Sequence, residues 1–123
     1  MLRRLFPCVA LLALGGCVQP EPQVVYVQAA PRVGCDTRFN VVNQSSYTVE
    51  QLYFSSSSLG SWGNDQLGRN VLPPGRATSY QAANQGAYDF RVVWGNGRAA
   101  ELRGINVCVA STITITNSGL KAS

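Results

Sequence analysis

The sequence predicts an all-β domain, a small antiparallel β-sandwich or partly open barrel of about six or seven short strands, and three observations predict it. Runs of period-two alternation fill the chain from Cys35 to about Asn117. Gly, Pro, Asn and Ser punctuate those runs at strand-like intervals. No window sustains apolar residues at the helical spacing of i, i+3, i+4 and i+7. With 123 residues there is room for one such domain.

The strands, in order, are expected at Thr37 to Asn43, Thr48 to Phe54, Arg76 to Ala82, Ala87 to Trp94, Arg98 to Val107 and Ser111 to Thr116. Just before the third, Pro73-Pro74-Gly75 is a turn signal, Pro74 fixing φ and Gly75 accepting a positive φ. The fourth and fifth strands form the clearest unit, a hairpin through Gly95-Asn96-Gly97. Alternation places Tyr88, Phe90, Val92 and Trp94 on one face and Asp89, Arg91 and Val93 on the other. A two-residue Asn96-Gly97 loop would oppose Val92 to Glu101 and Phe90 to Arg103, burying charge. A three-residue loop with Gly97 left-handed removes that conflict. Phe90 then faces Leu102, Val92 faces Ala100, Arg91 faces Glu101 and Asp89 faces Arg103, and the same offset sets Tyr88 opposite Gly104. The two ion pairs act mainly against a one-residue slip, which would invert every side chain. In the sixth strand Thr112, Thr114 and Thr116 alternate with Ile113 and Ile115, giving a hydroxyl face and a core face. The domain is expected over residues 35–118, with 119–123 as a C-terminal tail.

Before the domain lies an address. Arg3 and Arg4 precede an apolar stretch from Leu5 to Leu14 that ends in Leu14-Gly15-Gly16-Cys17. About ten apolar residues fall short of the ~20 needed to span a bilayer, so the segment reads as a secretory signal peptide over residues 1–16. The Cys after Leu-Gly-Gly resembles the lipobox of bacterial lipoproteins. That resemblance implies cleavage before Cys17, lipidation of its sulfur and attachment of the mature protein to a membrane. An ordinary signal peptide with an incidental Cys is the alternative. Val18, where an Asp would resemble an inner-membrane retention signal, implies the outer membrane, facing the periplasm. Arg3-Arg4-Leu5-Phe6 also has the look of a twin-arginine motif, although the general secretory route suits the short basic segment better.

Residues 17–34 carry Pro20, Pro22 and Pro31 and read as an extended tether, reaching at most about 55 Å. Its Val24-Val25-Tyr26-Val27 patch is alternatively an added edge strand. Of four cysteines, Cys8 leaves with the signal and Cys17 takes lipid, so Cys35 and Cys108 remain in an oxidising compartment. One disulfide is the simple solution and two free buried thiols the alternative. Closing so long a loop stabilises by roughly 4 to 5 kcal/mol on the chain-entropy model.

The chain has no histidine, which removes Ser-His-Asp and Cys-His catalysis and His-ligated zinc or haem. The formal charge of +4 shrinks when Arg3 and Arg4 are lost, and the remaining basic residues are scattered, so no nucleic-acid partner is expected. Asp89 and Glu101 are engaged in the hairpin, and no pair of acids suggests glycosidase chemistry. Asp65 alone is too little for calcium. No catalytic residue, metal or cofactor is therefore expected.

The longest stretch without a strand pattern is Ser55 to Gly68, and long loops are where function concentrates. One reading makes Trp62 a stacking platform for a sugar or peptide, with Asn64, Asp65 and Tyr53 completing a groove. The other dips Trp62 and Leu67 into the core and uses Asn64-Asp65 as a turn capping a short helical segment.

In the order Asn43-Gln44-Ser45, Leu52-Tyr53, Trp62-Gly63-Asn64-Asp65-Gln66-Leu67-Gly68, Leu72-Pro73-Pro74-Gly75, Tyr88-Asp89-Phe90-Arg91-Val92-Val93 and Glu101-Leu102-Arg103-Gly104 running to Cys108, the domain resembles a group of small exported bacterial proteins of unassigned function. A Cys often precedes the Tyr-Asp pair in that group, whereas Gln85-Gly86-Ala87 supplies none here. The resemblance implies the all-β fold and no activity. Two readings of function follow: a non-enzymatic envelope lipoprotein with a protein-binding or structural β-domain, and a module binding glycan or peptidoglycan fragments through the 55–68 loop.

Overall fold

A computed structural model describes residues 34–123. The signal segment, Cys17 and the tether up to residue 33 lie outside the described residues. Cys35–Ser123 forms one compact unit. It is all-β, with β1 (Arg38–Asn43), β2 (Val49–Ser56), β3 (Ala77–Gln81), β4 (Ala87–Trp94), β5 (Ala99–Asn106), β6 (Thr112–Thr116) and β7 (Gly119–Ala122). Two sheets face each other, one ordered β3-β1-β6-β7 and the other β2-β4-β5. The chain crosses between them four times, and only β4–β5 and β6–β7 are hairpins within a sheet. The pairing of β1 with β6 is parallel and every other ladder is antiparallel.

Alternation decides what goes inside. Phe39 and Val41 of β1, Leu52 of β2, Phe90, Val92 and Trp94 of β4, and Ile113 and Ile115 of β6 are buried, while the residues between them face outward or are half-covered. Within this core an aromatic cluster joins the sheets. Phe39 meets Phe54 and Phe90 edge to face, at centroid distances of 5.0 and 5.4 Å, an arrangement that favours the ring quadrupoles. Thr112, Thr114 and Thr116 keep the half-covered face expected of them.

The six anticipated strands are present, and two expectations need correction. Residues 119–123 are not a tail: Gly119–Ala122 pairs with β6, and Ser123 exchanges backbone hydrogen bonds with Thr112. In the hairpin, Gly97 is left-handed at φ 87°. Phe90↔Leu102, Arg91↔Glu101 and Val92↔Ala100 pair as derived, but Tyr88 stands opposite Ile105 rather than Gly104. A bulge at Asp89 shifts the register, and Gly104 is its left-handed residue at φ 70°. Arg103 and Gly104 together oppose Asp89, which lets the ladder absorb one residue.

Cys35 and Cys108 are joined, their Cα atoms 5.3 Å apart across a sequence separation of 73. At the opposite end a buried polar hub ties the sheets. Asn43, at 0% exposure, donates through Nδ2 to the carbonyls of Tyr47 and Leu72 at 2.9 Å each. Its Oδ1 accepts the Ser45 N–H at 2.9 Å and the Ser45 hydroxyl. That hydroxyl in turn accepts the indole N–H of Trp94 at 3.0 Å. Every polar group of the Asn43 amide is thus paired, the condition under which burying it is tolerated. Asn43→Ala takes the acceptor from the buried Ser45 N–H and one of two donors from each of the Leu72 and Tyr47 carbonyls, which keep the Val49 N–H and the Ser45 hydroxyl; denaturant unfolding should show a loss of about 2–4 kcal/mol.

Candidate functional site

The loop after β2 is built on the outer strand edge. Asp65 Oδ1 accepts the N–H of Leu52 at 2.9 Å and that of Leu67 at 3.0 Å, and the Gln66 N–H reaches the Leu52 carbonyl. The loop therefore pairs with β2 at Leu52 and buries Leu67 beneath it. Residues 66–69 form turns with no helix, closed by Gly68 N–H to Asp65 O at 3.2 Å and Asn70 N–H to Leu67 O at 2.9 Å. Asp65 is consumed by this architecture. Its carboxylate spends its geometry on the backbone.

Trp62 is not in the core. It is half-buried, with the Arg103 guanidinium carbon 4.9 Å from its ring centroid. Two concavities meet at it. One, of 180 Å³, is lined by Trp62, Arg103, Asp89, Ser55 and the Leu59–Ser61 turn. The other, of 420 Å³, opens between β2 and β3 over Phe54, Tyr80 and Tyr88. Tyr53, Asn64 and Asp65 line neither. Tyr53 stands opposite Arg91 on the outer face and donates its hydroxyl to Gln51 at 2.8 Å; Asn64 is exposed. Of the four residues singled out from sequence, Trp62 alone lines these two concavities.

Sequence reasoning paired Asp89 with Arg103 and Arg91 with Glu101, and both pairs are present; it passed over Ser57 and the contact of Arg103 with Trp62. Arg103 bonds Glu101 at 2.7 Å and Asp89 at 3.4 Å, while Arg91 bonds the other oxygen of Glu101 at 2.6 Å. The bulge explains the geometry. By turning left-handed, Gly104 brings its N–H to 2.9 Å from Asp89 Oδ1, which also accepts the Ser57 hydroxyl at 2.7 Å. Asp89 is a buried residue whose side chain retains 12% exposure. The Ser57 hydrogen bond, with the Gly104 N–H and the Arg103 charge, holds its carboxyl below the ordinary range against an opposing desolvation. Arg103 and Arg91 hold Glu101 low in the same way. Both carboxylates are thus held toward their ionised forms, and through Arg103, which they bond, the cluster reaches Trp62. A glycine inside a strand pattern was the available signal, since it commonly marks a bulge.

No protein-family model, curated protein or solved structure matches the chain.

Two outcomes follow from this cluster. Because Asp89 and Glu101 titrate lower in the folded state than unfolded, their contribution is complete above the ordinary carboxylate range. It is lost as pH falls below ~4 through their folded values. Chemical denaturation from pH 7 to 2 should show that acid limb, and Asp89→Asn should flatten it. Gly104→Ala meets no atom within 4 Å, yet must hold φ 70°; urea unfolding should register the backbone strain alone, about 1–2 kcal/mol.

Proposed function

We propose that the protein is a lipid-anchored envelope protein, tethered through Cys17 in the outer membrane and facing the periplasm, whose β-domain is non-enzymatic and serves as a protein-binding or structural surface. The Leu14-Gly15-Gly16-Cys17 motif after a basic and apolar leader carries this reading. The Cys35–Cys108 bridge supports it, because such a bond persists where thiols are oxidised.

For the binding surface, the support is the outer edge of β3. Asn43 N–H bonds Arg76 O and Ala82 N–H bonds Thr37 O, so residues 76 and 82 turn their backbone groups toward β1. By alternation Ala77, Ser79 and Gln81 turn theirs away, and no strand pairs with that side among the described residues. Such an edge accepts an added strand from a partner.

Mass spectrometry of the full chain purified from host membranes tests the anchor. The expected result is cleavage before Cys17 and an acylated sulfur there, both lost in Cys17→Ala; an intact Met1 or an unmodified Cys17 refutes it. Ser79→Pro tests the edge, since it removes an outward N–H without touching the β1 ladder. A stoichiometric partner crosslinked in native membranes should be lost in that variant, and a partner retained at full yield argues for another surface.

A further inference from the structure

The 420 Å³ groove between β2 and β3 is lined by aromatic, amide and hydroxyl side chains. Its floor is aromatic: Phe54 packs against Tyr80 at 5.2 Å and Tyr88 at 6.4 Å between centroids. Its walls carry three carboxamides, Gln66, Gln81 and Asn84. Leu59 stands at the rim, 61% exposed, and Trp62 forms part of the wall. No lining residue is an Asp, Glu, Lys or Arg.

We propose that this groove binds a neutral saccharide, one sugar ring stacking against Trp62 while the amides of Gln66, Gln81 and Asn84 bond its hydroxyls. A pyranose has an apolar C–H face and a belt of groups that both donate and accept hydrogen bonds. Aromatic rings match the first, and carboxamides, with two donors and an acceptor each, match the second. An anionic ligand would be desolvated here with no cation to pair it. An apolar ligand would cover these exposed amides and strip their water without pairing them. The volume lies within the ~300–1,000 Å³ common for small-ligand sites.

The platform is set before the ligand arrives. Arg103 lies over the Trp62 ring and lines the neighbouring concavity but not this groove. Bonded to Glu101 and Asp89, it restrains the indole without itself entering the groove. Holding it in advance lowers the ordering cost of binding. Arg103 is thus a positioning residue. The proposal is independent of the anchor, because it concerns the folded domain with or without lipid.

The test is titration of the purified full chain with N-acetylglucosamine trisaccharide and with cellotriose, in a detergent lacking a sugar headgroup. Tryptophan fluorescence and calorimetry are read together. Saturable binding of at least one of the two is expected. Trp62→Ala should weaken it about tenfold or more. Gln81→Ala, an exposed position whose loss does not threaten folding, should weaken it several-fold. Arg103→Ala should weaken it too, with Arg103→Lys, which keeps a cation over the ring, recovering part of the affinity. Three results would each overturn the proposal: no binding of either trisaccharide up to ~10 mM, affinity unchanged in both Trp62→Ala and Gln81→Ala, or tighter binding of a sulfated trisaccharide.

Discussion

The fold depends on one buried amide. Asn43 ends β1 in the four-stranded sheet, yet its side chain reaches the carbonyls of Tyr47 and Leu72 and, through Ser45, the indole of Trp94 in the other sheet. Apolar packing between sheets is non-directional and tolerates sliding. A fully paired amide at the interface does not, because any shift leaves buried donors and acceptors unpaired. The backbone of Asn43 completes the junction, donating to Arg76 O and accepting from Gly75 N–H, so the Pro73-Pro74-Gly75 turn is docked by the same residue. The hub thus fixes how two apolar faces meet.

From that fixed end the sheets extend to the end that holds the disulfide, and there the polar logic moves outward. At Asp89 the β4–β5 ladder admits an extra residue, and the resulting bulge gathers Ser57, Arg103 and Gly104 around one carboxylate. Exposed ion pairs contribute little on their own. Here their effect is geometric: a chain of contacts runs from Arg91 through Glu101 and Arg103 to Trp62. A loop anchored at its base through Ser57 and through Asp65 and Gln66 to Leu52 is held at Trp62 as well.

Much of this was legible because local chemistry and tertiary structure agree. Charge burial alone rejected the two-residue hairpin loop, and the ladder from Phe90 to Val93 follows the three-residue alternative. Where they disagree, the sequence misleads. Gly119-Leu120-Lys121-Ala122 has no β-branched residue and becomes a strand only because β6 is there to pair with it. Asn43 closes a strand with a residue type that strands disfavour, and its role exists only once Leu72 and Trp94 arrive from distant parts of the chain. Gly104 did advertise its bulge, and treating it as an ordinary strand residue carried the register one pair too far. Trp62 marked the right neighbourhood, and Gln66 shares its motif, but Phe54, Tyr80, Gln81, Asn84 and Tyr88 reach the groove from β2, β3, β4 and the β3–β4 loop, which no local pattern around Trp62 announces.

The placement of the disulfide bears on mechanical load. Any pull along the N-terminal segment enters the folded unit at Cys35, three residues before β1, a strand flanked on both sides by β3 and β6. Without the bridge, traction would fall on the N-terminal end of β1 alone, on its hydrogen bonds and the packing of Phe39 and Val41. With it, the force divides at Cys35 and passes through covalent bonds to Cys108, just before β6. The neighbouring strands β1 and β6 are then drawn together in parallel, as one body, and the sheet is spared from unzipping.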